Sequence, residues 1–474
     1  MTEELARAGG PIAAAGLALV ILARPQSARL AGLVLWAAGA ALLVPVLAPS
    51  GHRASLAGGA VVGLALALAL AALFVRKPWA LPILALAATP ARVPVSVGDT
   101  EANLLVPLYL VALGAAFALG WELLRAPPRA RELGSLAWPV AALVGWFALS
   151  ITWTIDVREG AIDLLFFLLP FALLAVVISR LPWRERPAGG LFGLLQGMAL
   201  LFACVGIAQW LAKDVFWNPK VAVGNETSAF FRVNSLFWDP SIYGRFLVVA
   251  ILAALTVILL RVARRWEPAL AVLIAVLWVG LFFSYSQSSF VALVAGVLIA
   301  AALAWRSKPA AVVAAALLLA VPVAAEPPGA TAASRDSTGG RATLVRNGIE
   351  IALDHPLIGV GIGGFQQAYA EKLDLKARRP PAAASHTTPV TVAAETGFPG
   401  LVLLAWLVAA AALAAFRGGR DATLVRATSW AAGLAVAAIA VQSLFYNAFF
   451  EDPMTWAALG LIAVAALARR RETA

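Results

Sequence analysis

The chain has 474 residues, of which 62% are hydrophobic and only 13% are charged. Soluble globular proteins have about 45–50% apolar and about 25% charged residues, so the composition excludes that class. The formal net charge of +11 does not indicate nucleic-acid binding, because the Lys and Arg residues form short clusters between apolar runs, as in the cytoplasmic loops of membrane proteins. We therefore expect a lipid bilayer as the surroundings and no nucleic-acid partner.

Taken in chain order, fifteen apolar runs approach the roughly 20 residues that a helix needs to cross a bilayer. They cover residues 11–23, 30–48, 55–75, 79–91, 103–123, 136–152, 161–180, 189–211, 241–260, 268–284, 289–305, 310–325, 398–416, 427–447 and 454–468. The first and fourth are short for a crossing, and either is a candidate for an interfacial or re-entrant segment. The fold class predicted is all-α, a polytopic transmembrane helix bundle with about 12–15 membrane segments.

The spacing of the runs divides the chain into four predicted parts. Residues 1–211 form an N-terminal transmembrane scaffold, and 212–325 form a transmembrane core with an outer loop. Residues 326–397 form a large extracytoplasmic catalytic loop containing short helices, and 398–474 form the C-terminal transmembrane helices. The single cysteine, Cys204, lies inside an apolar run and excludes an intrachain disulfide. We interpret it as a buried small hydrophobe.

Every second loop is rich in Arg or Lys, which predicts that these loops are cytoplasmic. They contain Arg24 and Arg29, Arg76 and Lys77, Arg125 to Arg131, Arg180 to Arg186, Arg261 to Arg265, Arg306 and Lys308, Arg417 and Arg420, and Arg469 to Arg471. The opposite loops then face outside and hold nearly all the side chains suited to chemistry. A substrate on that face has no supply of ATP or nucleotide-sugar, so it must carry its own activation. A lipid-linked diphosphate is the usual form.

Two outer residues stand out by their chemistry. His386 lies just before a membrane segment, and the ordinary histidine pKa near 6.5 suits proton transfer at neutral pH. A lone histidine is nevertheless more often structural. Arg232 lies among aromatic residues, where it either snorkels to the membrane surface or offers a planar fork of donors to a phosphate. Both interpretations stay open for each residue.

The long outer loop adds two arginines and a glycine-rich run. Arg341 and Arg346 are five residues apart, which places them roughly 140° apart on a helix, so they do not share a face. The run from Pro356 to Phe365 lacks the lysine of a phosphate-binding loop, and tight turns are the simpler role for its glycines. Because no His/Cys cluster has metal-ligand spacing, we expect a metal-independent mechanism without a cofactor.

Several motifs occur in a fixed order. They are Arg232 followed by Phe237-Trp238-Asp239-Pro240, then Ser284-Tyr285-Ser286-Gln287, then Arg341, then Pro356 to Phe365, and then His386 ahead of Glu395-Thr396-Gly397-Phe398-Pro399-Gly400. In this order they resemble the O-antigen ligase and O-antigen polymerase superfamily of bacterial membrane glycosyltransferases. The resemblance covers about residues 225–400 and implies a multi-pass protein of the bacterial cytoplasmic (inner) membrane with its active site facing outside.

The resemblance implies transfer of a glycan from a polyprenyl (undecaprenyl) diphosphate donor to an acceptor hydroxyl, with inversion. It assigns catalysis to His386 as general base, with Glu395 as the second candidate. It assigns diphosphate binding to Arg232, Arg341, Gln287 and Arg346, and acceptor or sugar contacts to Asp239, Tyr243 and Thr387. Two positions depart from the family pattern, since Gln287 stands where many members have an arginine and Thr387 where many have an asparagine.

Three functions remain after the sequence analysis. A ligase uses lipid A core or another surface anchor as acceptor, and a polymerase uses a second lipid-linked repeat unit. The two share their chemistry, and the sequence does not separate them. The third function, a transporter of lipid-linked sugars, predicts inverted repeats and charges inside the membrane. It ranks lower because no internal repeat is evident and the charges lie in the outer loops.

Overall fold

The computed structural model describes residues 1–47, 53–97, 100–125, 133–216, 218–228, 230–305, 332–373, 385–419 and 421–472. Within these ranges, 12 helices are long and apolar enough to cross a membrane, and Pro453–Arg469 forms a shorter apolar helix. The predicted all-α polytopic bundle is therefore confirmed. The predicted run 310–325 lies outside the described residues.

The helices are numbered in chain order. The N-terminal set is α1 (Thr2–Leu22), α2 (Gln26–Leu47), α3 (Arg53–Arg76), α4 (Ala80–Ala88), α5 (Val106–Arg125), α6 (Ala137–Leu149), α7 (Val157–Ile162), α8 (Leu169–Ser179) and α9 (Glu185–Ala212). The following set is α10 (Pro219–Thr227), α11 (Pro240–Leu259), α12 (Glu267–Ser284), α13 (Gln287–Trp305), α14 (Ala332–Asp354), α15 (Phe365–Lys372), α16 (Thr388–Phe416), α17 (Leu424–Gln442) and α18 (Pro453–Glu472). A π-helical stretch, Asp163–Leu168, joins α7 to α8.

The first helix is longer than the apolar run 11–23 suggested, because it begins at Thr2. Its polar first turns are held by protein rather than lipid. Arg7 donates to the backbone carbonyls of Thr152 at 2.7 Å and Thr154 at 3.0 Å. Partner carbonyls for this charged side chain allow a full-length crossing helix to start among charged residues.

The fourth run does give a short helix, the nine-residue α4. Trp79, just before it, donates its indole N–H to the carbonyl of Pro182 at 2.9 Å. A two-stranded antiparallel hairpin, β1 (Val93–Val97) and β2 (Thr100–Leu104), follows α4 with Val93 opposite Leu104. The apolar-run analysis missed this hairpin because it starts a helix at 103, inside β2.

The core of the bundle lies where α8, α11, α17 and α18 meet. Phe171, Phe246 and Trp456 are among its largest fully buried side chains. Cys204 corrects an expectation, since it lies on the exposed surface of α9. In a membrane helix the lipid-facing surface is itself apolar, so an apolar run does not show which of its residues are inside.

Candidate active site

Two of the sequence motifs meet at the predicted outer end of the bundle. The Nε of Arg232 donates to the carbonyl of Ser284 at 3.3 Å, where α12 ends. Ser284 is followed by a polar turn that continues into the first turn of α13, where Ser289 shares a 2.8 Å hydrogen bond with Ser286. Gln287 of this turn is exposed. The structure therefore places the Arg232 segment and the turn carrying Gln287 side by side.

The segment of His386 joins them through the end of α17. Gln442, the last residue of α17, donates to the hydroxyl of Ser289 at 2.9 Å. Its neighbour Ser443 accepts the backbone N–H of Thr388 at 2.7 Å. Since Thr388 lies two residues after His386, backbone hydrogen bonding fixes the histidine segment against the same helix end.

His386 has an uncommon backbone conformation. Its φ is 63°, in the left-handed region that few non-glycine residues adopt, and its side chain is exposed. Ser385 is buried and stabilises the turn, because its hydroxyl donates to the carbonyl of Thr387 at 2.9 Å and pairs with Thr391 at 2.9 Å. Ser235 and Tyr285 also have positive φ, so each of the three assembled motifs contains such a residue. Backbone strain of this kind concentrates at functional sites.

The helix that follows His386 is broken in the middle. In α16, Gly397 has φ 69° and ψ −177°, which are not helical values. Pro399 has no N–H, so the carbonyl of Glu395 loses the partner it would have four residues later. The backbone N–H of Gly361 fills this vacancy at 2.8 Å.

A second pair of backbone groups is exchanged in the same way. The N–H of Phe398 turns away from the helix and donates to the carbonyl of Pro356 at 2.8 Å. The freed carbonyl of Ala394 then accepts the N–H of Val360 at 2.9 Å. The glycine-rich run therefore completes the broken helix, and two of its N–H groups are used there. This agrees with its interpretation as a set of tight turns.

The glycines are required by these turns. Gly359, Gly361 and Gly363 all have positive φ, at 65°, 87° and 73°. A Cβ on Gly361 would overlap Thr154, and one on Gly363 would overlap the backbone of Gly160. The loop is thus pressed against α7 and the residues before it, where the hydroxyl of Thr154 also donates to the carbonyl of Ile362 at 2.7 Å.

Glu395 is buried beneath this loop. Its carboxyl oxygen Oε1 accepts the backbone N–H of Phe365, the first residue of α15, at 3.3 Å. The first N–H groups of a helix have no partner within the helix, so this contact satisfies one of them. The structure thereby gives Glu395 a contact that holds the loop, whereas His386 is exposed at the surface.

Arg232 is held from both sides of its backbone. The side-chain amide of Asn225, in α10, accepts the N–H of Arg232 at 2.9 Å and donates to its carbonyl at 2.9 Å. Two hydrogen bonds therefore hold the backbone of Arg232, and the Nε bond to Ser284 holds its guanidinium. The sequence analysis named Arg232 and missed Asn225, whose separation of seven residues from Arg232 is not a known motif spacing.

The other predicted contacts fall in different places. Asp239 caps α11 by accepting the N–H of Ser241 at 2.7 Å. Thr387 is buried beside His386, and Tyr243 is fully buried in the core, so the structure does not bring the Tyr243 hydroxyl to the surface. Gln287 is the member of this group that is exposed.

Of the two loop arginines, Arg346 has a described side chain. Arg346 is 82% exposed and forms an i,i+4 ion pair with Glu350 at 3.2 Å. Glu350 also pairs with Lys372 at 3.2 Å, and the hydrogen bonds from Lys372 and then Arg346 lower the pKa of Glu350 below its ordinary value. Arg341 lies in the same helix, α14, and its side chain lies outside the described part of the chain.

The connection between α17 and α18 carries further charges that the predictions did not assign. Glu451 is half-buried, and desolvation raises its pKa to about 7 against the lowering effects of Arg245 and Arg92. Its neighbour Asp452 forms a buried ion pair with Arg245 at 2.7 Å. Across the described residues, no group of three or more His, Cys, Asp and Glu side chains is placed to hold a metal ion. Metal independence stays a prediction.

The fold and the site define a polytopic membrane protein with a histidine and an arginine assembled at one end of the bundle, beside a glycine loop that completes a broken helix. Residues 270–405 match the family model described as O-antigen ligase. This segment includes the glycine loop, His386 and Glu395, and its match to that family model confirms the resemblance. No curated protein matches the chain. The family supports a membrane glycosyltransferase activity of O-antigen ligase or polymerase type.

Proposed function

We propose that the protein transfers a glycan from a polyprenyl diphosphate donor to an acceptor hydroxyl at the outer face of the cytoplasmic membrane. The acceptor hydroxyl oxygen attacks the anomeric carbon from the side opposite the diphosphate. The bond between that carbon and the diphosphate oxygen breaks, and its electron pair leaves with the diphosphate. Attack from the opposite face inverts the anomeric configuration.

The observation that carries this proposal is the placement of His386. It is exposed, has a strained backbone, and is tied through Ser443 to the helix end whose Gln442 contacts the Ser286–Ser289 turn. A neutral imidazole there accepts the proton that the attacking hydroxyl loses. General-base catalysis of this kind typically contributes about 10²- to 10⁴-fold in rate.

Arginines bind the leaving diphosphate in this mechanism. Arg232 is fixed by three hydrogen bonds, so its planar fork is pre-organised for phosphate oxygens. Arg341 is the second proposed contact, Gln287 offers an uncharged donor from the neighbouring turn, and Arg346 is the most exposed of the proposed contacts. Charge that develops on the diphosphate in the transition state is stabilised most by donors that are already in place. This supports diphosphate departure without a metal ion.

Transfer from a purified polyprenyl-diphosphate glycan tests the proposal. We expect His386→Ala to lose about 10²- to 10⁴-fold of the rate, while donor binding stays close to wild type. His355→Ala is the matched control, because His355 is also exposed and lies in the same loop region. A divalent-metal chelator should leave the wild-type rate unchanged.

Glu395→Gln separates the two candidate bases. The glutamine oxygen still accepts the Phe365 N–H, so the loop contact is retained while the proton acceptor is lost. If Glu395→Gln abolishes transfer and His386→Ala does not, then Glu395 is the base. Products made with a core or surface-anchor acceptor indicate a ligase, and products made with a second lipid-linked unit indicate a polymerase.

A further inference from the structure

A charged pair is buried near the outer end of α11. Arg245 is 2% exposed and Asp452 is 5% exposed, with Nη1 of the arginine 2.7 Å from Oδ2 of the aspartate. The same nitrogen donates to the carbonyl of Ala448 at 3.2 Å. The sequence analysis did not single out Arg245, because it lies within the apolar run 241–260. Ionised groups within membrane segments are costly and are retained mainly for function.

Gln442 links this pair to the polar turn. Its Oε1 accepts from Nε of Arg245 at 2.6 Å, while its Nε2 donates to the hydroxyl of Ser289 at 2.9 Å and to the carbonyl of Ser241 at 3.0 Å. Guanidinium nitrogens only donate, so Arg245 forces the amide oxygen of Gln442 to face it. The amide nitrogen is thereby directed at Ser289.

Charge and hydrogen bonding together define the role of Arg245. Asp452 neutralises it, so Arg245 does not supply a net positive charge to an anionic ligand. Its Nη2 has no hydrogen-bond partner among the described residues, which is a cost that a purely structural pair would avoid. Its Nη1 is used by Ala448 and Asp452, and its Nε sets the orientation of Gln442.

We propose that Arg245 and Gln442 are positioning residues for the donor site. They fix the Ser286–Ser289 turn, which presents Gln287 beside Arg232. The proposal rests on the proposed function, since it assigns the turn to diphosphate binding. It also links the turn to the base, because Gln442 precedes Ser443, which holds Thr388 and so the segment of His386. Gln287 is uncharged, so it does not attract the diphosphate by charge. It acts through a hydrogen bond, and that bond requires accurate placement of its side chain.

The test is Gln442→Leu in the full-length purified protein. We expect the donor KM to rise about tenfold, the effect of losing one well-placed hydrogen bond, while kcat and the acceptor KM stay within about twofold. Backbone hydrogen exchange over residues 284–290 should be faster in the variant and unchanged over 268–280. Gln196→Leu is the matched control, since Gln196 is also buried and also donates to α11, at the carbonyl of Ala250.

A second variant keeps the test valid if Gln442→Leu does not fold. Ser289→Ala removes the hydroxyl that receives the amide, together with its hydrogen bond to Ser286, and it should reproduce the higher donor KM. The effect of combining it with Gln442→Leu should be smaller than the sum of the two single effects, because both variants remove the bond between Gln442 and Ser289. Arg245→Lys, which retains the charge but not the planar fork, should raise the donor KM as well. Wild-type donor KM and wild-type exchange in Gln442→Leu would overturn the proposal.

The two measurements keep this proposal separate from the proposed function. If the wild-type protein transfers no glycan from any polyprenyl-diphosphate donor, the proposed function fails, and so does the assignment of the turn to donor binding. Faster exchange in Gln442→Leu would then still show that Gln442 holds the turn. If transfer occurs but neither KM nor exchange responds to Gln442→Leu, only the positioning role fails.

Discussion

At the scale of single residues, Asn225 determines where the proposed phosphate-binding arginine lies. Its side-chain amide pairs with both the N–H and the carbonyl of Arg232. Loss of two hydrogen bonds costs about 1–3 kcal/mol, so we expect Asn225→Ala to raise the donor KM about five- to a hundred-fold. Asn225→Asp should be at least as harmful, because it turns an oxygen toward the Arg232 carbonyl. Kinetics of purified variants measure this.

The neighbouring residue provides the control for this prediction. Glu226 lies in the same short helix and is exposed, so Glu226→Ala should retain the wild-type donor KM. Equal donor KM values for Asn225→Ala and Glu226→Ala would show that Arg232 is positioned without the asparagine.

Glu451 predicts a pH dependence of stability. Its folded pKa is about 7, raised by desolvation from an ordinary value of 4.5, in an environment that includes Arg245, Arg92, Asp452 and Glu159. An acid with a raised folded pKa contributes stability that is present below its unfolded pKa and is lost as pH rises through the folded pKa. Wild-type stability should therefore fall between about pH 4.5 and about pH 7.

Thermal unfolding of the purified protein at pH 5 and pH 8 tests the role of Glu451. In Glu451→Gln the difference between the two Tm values should shrink, because the titrating group is gone. Glu4→Gln, at an exposed position of α1, should keep the wild-type difference. An unchanged difference in Glu451→Gln would assign the pH dependence to other groups.

At the residue level, the sequence analysis selected side chains that differ in polarity from their surroundings. His386, Arg232 and the turn of Gln287 were named from polar motifs beside apolar runs, and the structure brings these three together. Whether they bind and react as proposed awaits the kinetic tests. Arg245 and Gln442 were missed because each lies at the end of a helix that is otherwise apolar. Their partners are about 200 residues away in the chain, and only the fold brings them together.

At the scale of elements, the glycine loop and the broken helix form one unit. The sequence analysis predicted a loop up to 397 and a membrane run from 398, and the structure has its non-helical residue, Gly397, at that boundary. It did not show that residues 388–396 are also helical. Pro399 has no N–H and the N–H of Phe398 points away, so the last carbonyls of that stretch have no partner within the helix. The glycine loop supplies the N–H groups instead, which is a tertiary effect that the local sequence does not show.

Because the glycine loop packs closely in this unit, we expect alanine substitutions to destabilise the protein at loop glycines and not at an unpacked glycine elsewhere. Gly361→Ala and Gly363→Ala each introduce a left-handed alanine, at about 1–2 kcal/mol, and a Cβ that overlaps the residues before or within α7. Both should lower the Tm and the yield of folded protein. Gly190→Ala, in α9 where a Cβ meets nothing within 4 Å, should leave the Tm unchanged or raise it. Equal effects at all three positions would contradict the proposed packing of the loop.

At the scale of the whole molecule, hydrogen bonds and ion pairs join basic loops to one another and outer loops to one another. This is the grouping that the charge of the loops predicted. At one end, Trp153 donates to the carbonyl of Ile358 and Thr154 to that of Ile362. At the other, Trp79 contacts Pro182, and Arg180 pairs with Glu122 at 3.1 Å. Each contact joins segments assigned to the same side. The basic-loop pattern thus predicted the two ends of the bundle, and the assignment of one end to the outside stays a prediction.

Cysteine labelling decides which end faces outside. Leu357, which is 74% exposed in the glycine loop, is replaced in a Cys204→Ala background because Cys204 is itself exposed. Arg264, exposed at the basic end, gives the matched variant Arg264→Cys. In sealed spheroplasts an impermeant maleimide should label Leu357→Cys at once and Arg264→Cys only after lysis. The reverse pattern would place His386 and Arg232 in the cytoplasm, where nucleotide-sugars are available, and would remove the physical reason for a lipid-linked diphosphate donor.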